Sequence, residues 1–342
     1  MEEDSYGILH PPADPASFLN IYPRLSDIAD FVPDVLMNKD STNMTPDDWT
    51  TIAQYIYNHR NDGFNGFVVV HGTDTMHFTA SAIAFALGKK LSFPVVFTGA
   101  QTTHYIPYGD ACVNLTRACK IATMDLAEVV ICFGDYVFRG CRAQKKDERR
   151  FDAFESPACL PLAHIAADIV IHPWAKTSDN STAKEEIVLR PNFAKGICQV
   201  SLIPGLEPEL LFKLLNEKKC KGVVLQSFGA GNVPSDGPYS LTDFIQKSSD
   251  QGKPVLVTSQ FPAHSTLKSP YEPGRKALDA GAIPVGNMTS ACATVKFRWA
   301  LAQVEAEGTS PAQRKLMRIA DIMKKSYVQE LDEEHKPKGR SV

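Results

Sequence analysis

Apolar runs of four to six residues recur along the chain, and most stop at a glycine, serine or threonine. Val68-Val69-Val70 ends at His71-Gly72, Pro94–Thr98 ends at Gly99, and Glu128–Phe133 ends at Gly134. Runs this short, without alternation, read as strands buried on both faces. Segments of helical character lie between them. Residues 46–60 predict an amphipathic helix with Thr45 as N-cap, Pro46 in the first turn, and Asp47 and Asp48 at the positive end of the dipole. The pattern predicts strands at 67–71, 94–99 and 128–133, with helices near 75–87 and 109–125. After a polar stretch at 173–192 it restarts. Strands are expected at 197–204, 222–227 and 254–259, and helices at 207–218, 240–251 and 289–305. The tail, 310–342, reads as a helical portion with a frayed, charged end.

This rhythm predicts the α/β class: two three-layer α/β domains with mainly parallel sheets and helices on both faces. The larger domain would span 1–180 and the smaller 193–342, joined through the polar stretch. A length of 342 residues suits two domains.

Composition narrows the functional classes. Apolar residues make up 44% and charged residues 22%, as in an ordinary globular protein, and the net charge of −3 gives no electrostatic footprint for nucleic acid. No stretch reaches the ~20 apolar residues of a membrane span. The acidic start Met-Glu-Glu-Asp lacks the basic and apolar regions of a signal peptide, so the expected location is the cytoplasm. Eight cysteines with no CxxC pair read as buried thiols. There is no GxGxxG or Walker A spacing and no His/Cys set at metal spacing, so no cofactor and no metal are expected.

Polar groups gather where the strands end. Asp40-Ser41-Thr42 precedes the first helix, Thr73-Asp74 follows one strand, Gly99-Ala100-Gln101 the next, and Arg139–Lys145 comes soon after the third. Adjacent parallel strands bring such loops to one edge, where open α/β sheets bind ligands. Hydroxyls, a carboxylate and an ammonium there suit nucleophilic attack on a carbonyl carbon, with a lysine as proton acceptor. Plainer readings stand beside this one. Thr73-Asp74-Thr75 could be a helix cap, Asp40-Ser41-Thr42 a capping turn, Lys145 one member of a solvated charge run (145–150), and His71 a packed core histidine.

His71-Gly72-Thr73-Asp74-Thr75-Met76 resembles the second signature of the bacterial-type L-asparaginases. Asp40–Pro46 is similar to their substrate-binding loop, and Phe138–Lys145 to their catalytic-lysine segment, with Cys141 where Asn is usual and Gln144 where Thr is usual. Phe151–Pro157 follows as in that family, and Phe228–Asn232 resembles the C-domain loop that reaches a neighbouring subunit. The match runs in order along nearly the whole chain and is nearest to the cytosolic, type I-like branch.

The resemblance implies hydrolysis of L-asparagine to L-aspartate and ammonia through a threonine acyl-enzyme. It implies catalytic Thr73, Asp74 and Lys145. Asp74 would hold the substrate amino group, Asp40, Ser41 and Thr42 its carboxylate, the Ala100 amide the oxyanion region, and Asn232 would close the site across a homodimer or homotetramer. One departure is plain. The family's first nucleophile lies in a Thr-Gly-Gly-Thr-Ile segment, which this sequence does not contain. The expectation is that Met1 matches an internal methionine just past that segment, with Tyr6 a remnant of the lid. The attacking hydroxyl would then be missing, so little or no turnover is expected. The alternative is a non-catalytic homologue that binds aspartate or asparagine or pairs with an intact subunit. A third reading is the subunit that supplies ammonia for tRNA-dependent amidation.

Overall fold

The structure, a computed structural model, describes residues 2–3, 9–10, 22–178, 186–261, 271–308 and 311–332. Met1, Tyr6, part of the polar stretch and part of the tail lie outside the described residues. The chain divides into two compact units, Met1–Phe193 and Ala194–Val342. Both are α/β.

The first unit opens with a two-stranded ribbon, β1 (Glu2–Glu3) against β2 (Leu9–His10). Its main sheet has six strands in the order β10-β9-β6-β5-β4-β3. β3 (Phe67–Val70), β4 (Val95–Thr98) and β5 (Val129–Phe133) are parallel, with Val68, Val96 and Val130 in register. β6 (Tyr136–Arg139) turns back antiparallel, followed by β9 (Ala163–Ile165) and β10 (Ile169–Ile171). The sheet is therefore mixed, and the three antiparallel strands are additions to the expected pattern. Gly134 makes the reversal after β5 possible: its φ of 58° lies in the left-handed region that a side chain disfavours. Between β6 and β9 a small ribbon pairs β7 (Gln144–Lys145) with β8 (Phe154–Glu155).

Helices cover both faces. α1 (Pro46–Asn58) buries Trp49, Ile52, Ala53 and Ile56, one face at helical spacing. Asp48 reaches back to the Thr45 N–H at 2.7 Å and closes its first turn. α2 (Met76–Leu87) is buried on nearly every side, and its Ala-rich sequence lets it approach β4 and β5 closely. α3 (Ala111–Ala122) packs Ala118, Ile121 and Ala122 against Val96, Val130 and Cys132. Side chains alternate along a strand, so Val95, Phe97, Val129 and Ile131 face the other way, and all are buried.

The second unit has a four-stranded, wholly parallel sheet in the order β11-β12-β13-β14: Ile197–Ser201, Gly222–Ser227, Val255–Ser259 and Ile283–Pro284. Its helices are α4 (Pro208–Asn216), α5 (Thr242–Asp250), α6 (Glu272–Asp279), α7 (Ser290–Ala306) and α8 (Ala312–Lys324). Leu211, Leu215, Val223, Leu225, Phe244, Ile245, Val255 and Val257 form its core. Among the described residues no helix is long and apolar enough to cross a membrane.

Candidate functional site

β3 stops at Val70 because Gly72 and the residues after it leave the extended conformation before α2 begins at Met76. Two close approaches build the rim of the sheet. A Cβ on Gly72 would lie 2.7 Å from Ser41 Oγ, and one on Gly99 would lie 2.2 Å from the His71 carbonyl oxygen. Glycine at both places lets the 40–43 turn and the end of β4 crowd against the end of β3. The Thr75 hydroxyl donates to the Ser41 carbonyl at 2.7 Å and ties the turn down. Thr75 is the residue at the N-cap position of α2, and its hydroxyl makes no cap. Thr73 and Asp74 are left to face the rim.

Lys145 joins them. The β7–β8 pairing turns it inward, and its side chain is only 13% exposed although it begins a run of charges. Its Nζ donates to Thr73 Oγ1 at 2.9 Å and to Asp74 Oδ1 at 2.7 Å. A hydroxyl, an ammonium and a carboxylate thus meet at one point, three chemical types that together can move a proton and hold a charge. Beside them, Ser41 is buried.

The other expected residues divide. Asp40 and Thr42 use each other: Asp40 Oδ1 accepts from the Thr42 N–H at 2.8 Å and the Thr42 hydroxyl at 2.6 Å. These bonds hold the Asp40 carboxyl below its ordinary range, and they cap the 3-10 turn that presents Ser41. Ala100 lies in the loop after β4, held in place by the buried carboxylate of Asp110. Asp110 accepts from the Gln101 N–H at 2.9 Å, the Thr102 N–H at 3.0 Å and the Thr102 hydroxyl at 2.9 Å. Asn232 belongs to the second unit, in a turn closed by its exchange of backbone bonds with Phe228. The Lys145 cluster consists of residues of the first unit alone. Cys141 is buried, and Gln144 donates to Glu155 Oε1 at 2.9 Å.

Two neighbours were given no role by the sequence reading. Gln101 accepts the Thr73 hydroxyl at 3.0 Å and donates to the Asp147 carbonyl at 3.2 Å. Its only signal was its place after Gly99-Ala100 at a strand end. His77 lies tilted against the Phe78 ring and edge-on to the Phe154 ring, with Nδ1 buried and without a partner among the described residues. Burial, then the nearby Lys145 charge, pushes it down to about 4, so it is neutral at pH 7. His71 is held by the Gly72 carbonyl at 2.6 Å and Thr79 Oγ1 at 3.0 Å, and burial lowers it too. Both its nitrogens are engaged, as in a packed core histidine. No group of side chains that could hold a metal occurs among the described residues.

Residues 1–177 match the family described as asparaginase, N-terminal, and residues 197–314 match the glutaminase/asparaginase C-terminal domain. The chain belongs to the asparaginase family. Among curated relatives of this asparaginase-family chain, a glutamyl-tRNA(Gln) amidotransferase subunit from Methanosphaera stadtmanae is 32% identical over 95% of this chain and 72% of that protein. The L-asparaginase of Thermococcus kodakarensis is 31% identical over 86% of this chain and 84% of that one. The solved structure of the thermostable L-asparaginase from Thermococcus kodakarensis superposes with a TM-score of 0.82 at 28% identity, over 97% of this chain and 95% of that one.

Proposed function

We propose that the rim of the first unit's sheet is a site for L-asparagine, whose side-chain amide is hydrolysed to L-aspartate and ammonia through a threonine acyl-enzyme. The observation that carries this reading is the position of the Lys145 Nζ between Thr73 Oγ1 and Asp74 Oδ1. Thr73, Lys145 and Asp74 form the proton relay. Asp74, with 57% of its side chain exposed, has surface free to take the substrate ammonium. Ser41, in the turn capped by Asp40 and Thr42, takes the α-carboxylate. The Ala100 amide, on a loop fixed by Asp110, stabilises the developing oxyanion, a role that contributes several kcal/mol in amide hydrolysis. Asn232 completes the site in a homodimer or homotetramer. All eight cysteines are free thiols, which suits the reducing cytoplasm.

A second reading has one observation behind it: the sequence contains no Thr-Gly-Gly-Thr-Ile segment. A protein of this fold without that hydroxyl binds L-aspartate or L-asparagine, or pairs with an intact subunit, and does not turn over. Calorimetry with L-aspartate and ammonia release from L-asparagine and L-glutamine separate the two. Binding with steady release from L-asparagine supports the first reading and makes Thr73 a sufficient nucleophile. Binding without release supports the second. Absence of binding and of release overturns both. Release from glutamine in preference would redirect the substrate toward the glutamyl-tRNA(Gln) amidotransferase reading in the name of the Methanosphaera relative.

A further inference from the structure

The bonds around Gln101 fix the position of one proton. The Asp147 carbonyl can only accept, so the side-chain nitrogen of Gln101 must be the end that faces it, at 3.2 Å. That turns the amide oxygen toward Thr73 Oγ1, at 3.0 Å. An amide oxygen cannot donate, so Thr73 does. From the other side the Lys145 ammonium, which has donors only, points at the same hydroxyl from 2.9 Å. The single proton of Thr73 is therefore aimed at Gln101 and away from Lys145.

We propose that Gln101 is a positioning residue that holds the Thr73 proton off Lys145, keeping the pair unreacted until the Gln101 contact is released. The proposal rests on the reading of Thr73 and Lys145 as the acyl-transfer pair. Release has a defined course. Lys145 gives one proton to the Asp74 carboxylate, 2.7 Å away, or to water. The Thr73 O–H then turns about its Cβ–Oγ bond from Gln101 to the emptied Nζ. As the oxygen bonds to the carbonyl carbon, its O–H bond breaks, an N–H bond forms on Lys145, and the carbonyl π pair moves onto the carbonyl oxygen. Gln101 is well placed for such control. Its own N–H is anchored on Asp110. The Asp147 it grips is set in a turn whose N–H groups, at Arg149 and Arg150, donate to Asp147 Oδ1. The Thr73 proton is thus linked through one side chain to the 147–150 turn.

The test compares Gln101→Leu with Gln101→Glu. Leucine removes both halves of the contact, whereas glutamate keeps an acceptor for Thr73, loses the donor to Asp147 and adds a negative charge that favours the Lys145 ammonium. The readout is the rate at which 2,4,6-trinitrobenzenesulfonate modifies Lys145, by peptide mass spectrometry, relative to its neighbour Lys146. In Gln101→Leu the freed Thr73 proton can turn to Nζ, and the relative rate rises about three- to tenfold, the size of one ordinary hydrogen bond. In Gln101→Glu it stays at or below that of the unaltered protein. With Thr73→Val in the background, Gln101→Leu changes nothing. The proposal is overturned if the leucine variant matches the unaltered protein at an unchanged melting temperature. It is also overturned if the glutamate and leucine variants behave alike, as a merely structural tie to Asp147 would require. Gln101→Met repeats the comparison if the leucine variant does not fold. L-Aspartate is added in a separate arm. Its failure to protect Lys145 counts against the proposed substrate and leaves the comparison of variants intact.

Discussion

Two lysines in this molecule make almost the same ion pair and serve opposite ends. Lys145 meets Asp74 at 2.7 Å in the first unit, and Lys296 meets Glu330 at 2.6 Å in the second. Lys296 and Glu330 are wholly buried, whereas 57% of the Asp74 side chain is open to solvent. The remaining partners differ as much. Lys296 gives its other protons to the carbonyls of Met323 and Lys325. Glu330 accepts the N–H groups of Tyr327 and Val328. Beyond the ion pair itself and the Ser326 hydroxyl, which donates to Glu330 Oε2 at 3.5 Å, the bonds of that pair go to backbone, which fastens the segment after α8 onto α7. Lys145 gives its second bond to a hydroxyl instead, Thr73, which can itself react. A closed ion pair holds a chain in place. An open one that ends on a hydroxyl is equipped for chemistry.

The sharpest way to break this comparison is the same substitution at both lysines. Lys296→Met leaves Glu330 charged and alone in the interior, a loss of about 3–5 kcal/mol in unfolding free energy. Lys145→Met costs less than about 1 kcal/mol, because its partner is half open to water. Chemical denaturation of the two variants reads both values, and similar losses at the two sites would erase the distinction. Next in size is Asp74→Ala. If the open carboxylate takes a ligand ammonium, its removal weakens L-aspartate binding by about 2–3 kcal/mol, measured by calorimetry, and leaves the melting temperature where it was. Unchanged affinity would return Asp74 to a surface role.

The smallest effect comes from the rings beside the lysines. The Tyr327 ring lies 5.6 Å from Lys296, while His77 lies near Lys145 with its Nδ1 unpartnered. The folded chain holds His77 at about 4, below its ordinary 6.5. On acidification the unfolded chain takes up that proton first. The stability tied to His77 is therefore full above about pH 6.5 and falls as pH drops toward 4. Between pH 7 and pH 5 it amounts to about 1–2 kcal/mol. His77→Phe, measured by denaturation at both values, removes this part of the slope. An unaltered slope would show that protonated His77 is tolerated beside Lys145.

The first half of the fold was open to a reading from pattern because apolar runs there are long enough to have a period. β3, β4, β5, α1 and α2 fall within two residues of expectation. β6, β9 and β10 were not anticipated. Gly134-Asp135 between apolar runs did carry a hairpin signal. However, strands of three residues, as at 163–165 and 169–171, are too short to show alternation. α6 was hidden by Pro273 and Gly274, which suggest a break although proline fits a first turn. The tail read as a helical portion, which α8 matches, with a frayed, charged end, yet Glu330 beyond that helix is fully buried, and residues 333–342 lie outside the described residues. A carboxylate in a charged segment gives no sign of a lysine waiting inside a distant helix. Within the candidate site, types were legible and pairings were not. Asp40 as a cap and Thr73 at a rim both followed from position. Gln101 was placed at the rim too, but its bonds to Thr73 and Asp147 were not legible, since a lone amide after a strand has no signature.

From the sequence alone came the α/β class, the family and the strand-end loops that carry hydroxyl, carboxylate and amine. These follow from periodicity and short motifs, which are local and act within a few residues. Only the tertiary structure decided which charge of the 145–150 run turns inward, where the Thr73 proton points, and which lysine is closed and which open. Those choices depend on distances across the sheet and on access to water. Both are set when segments far apart in the chain are brought together, and neither is encoded in any one of them.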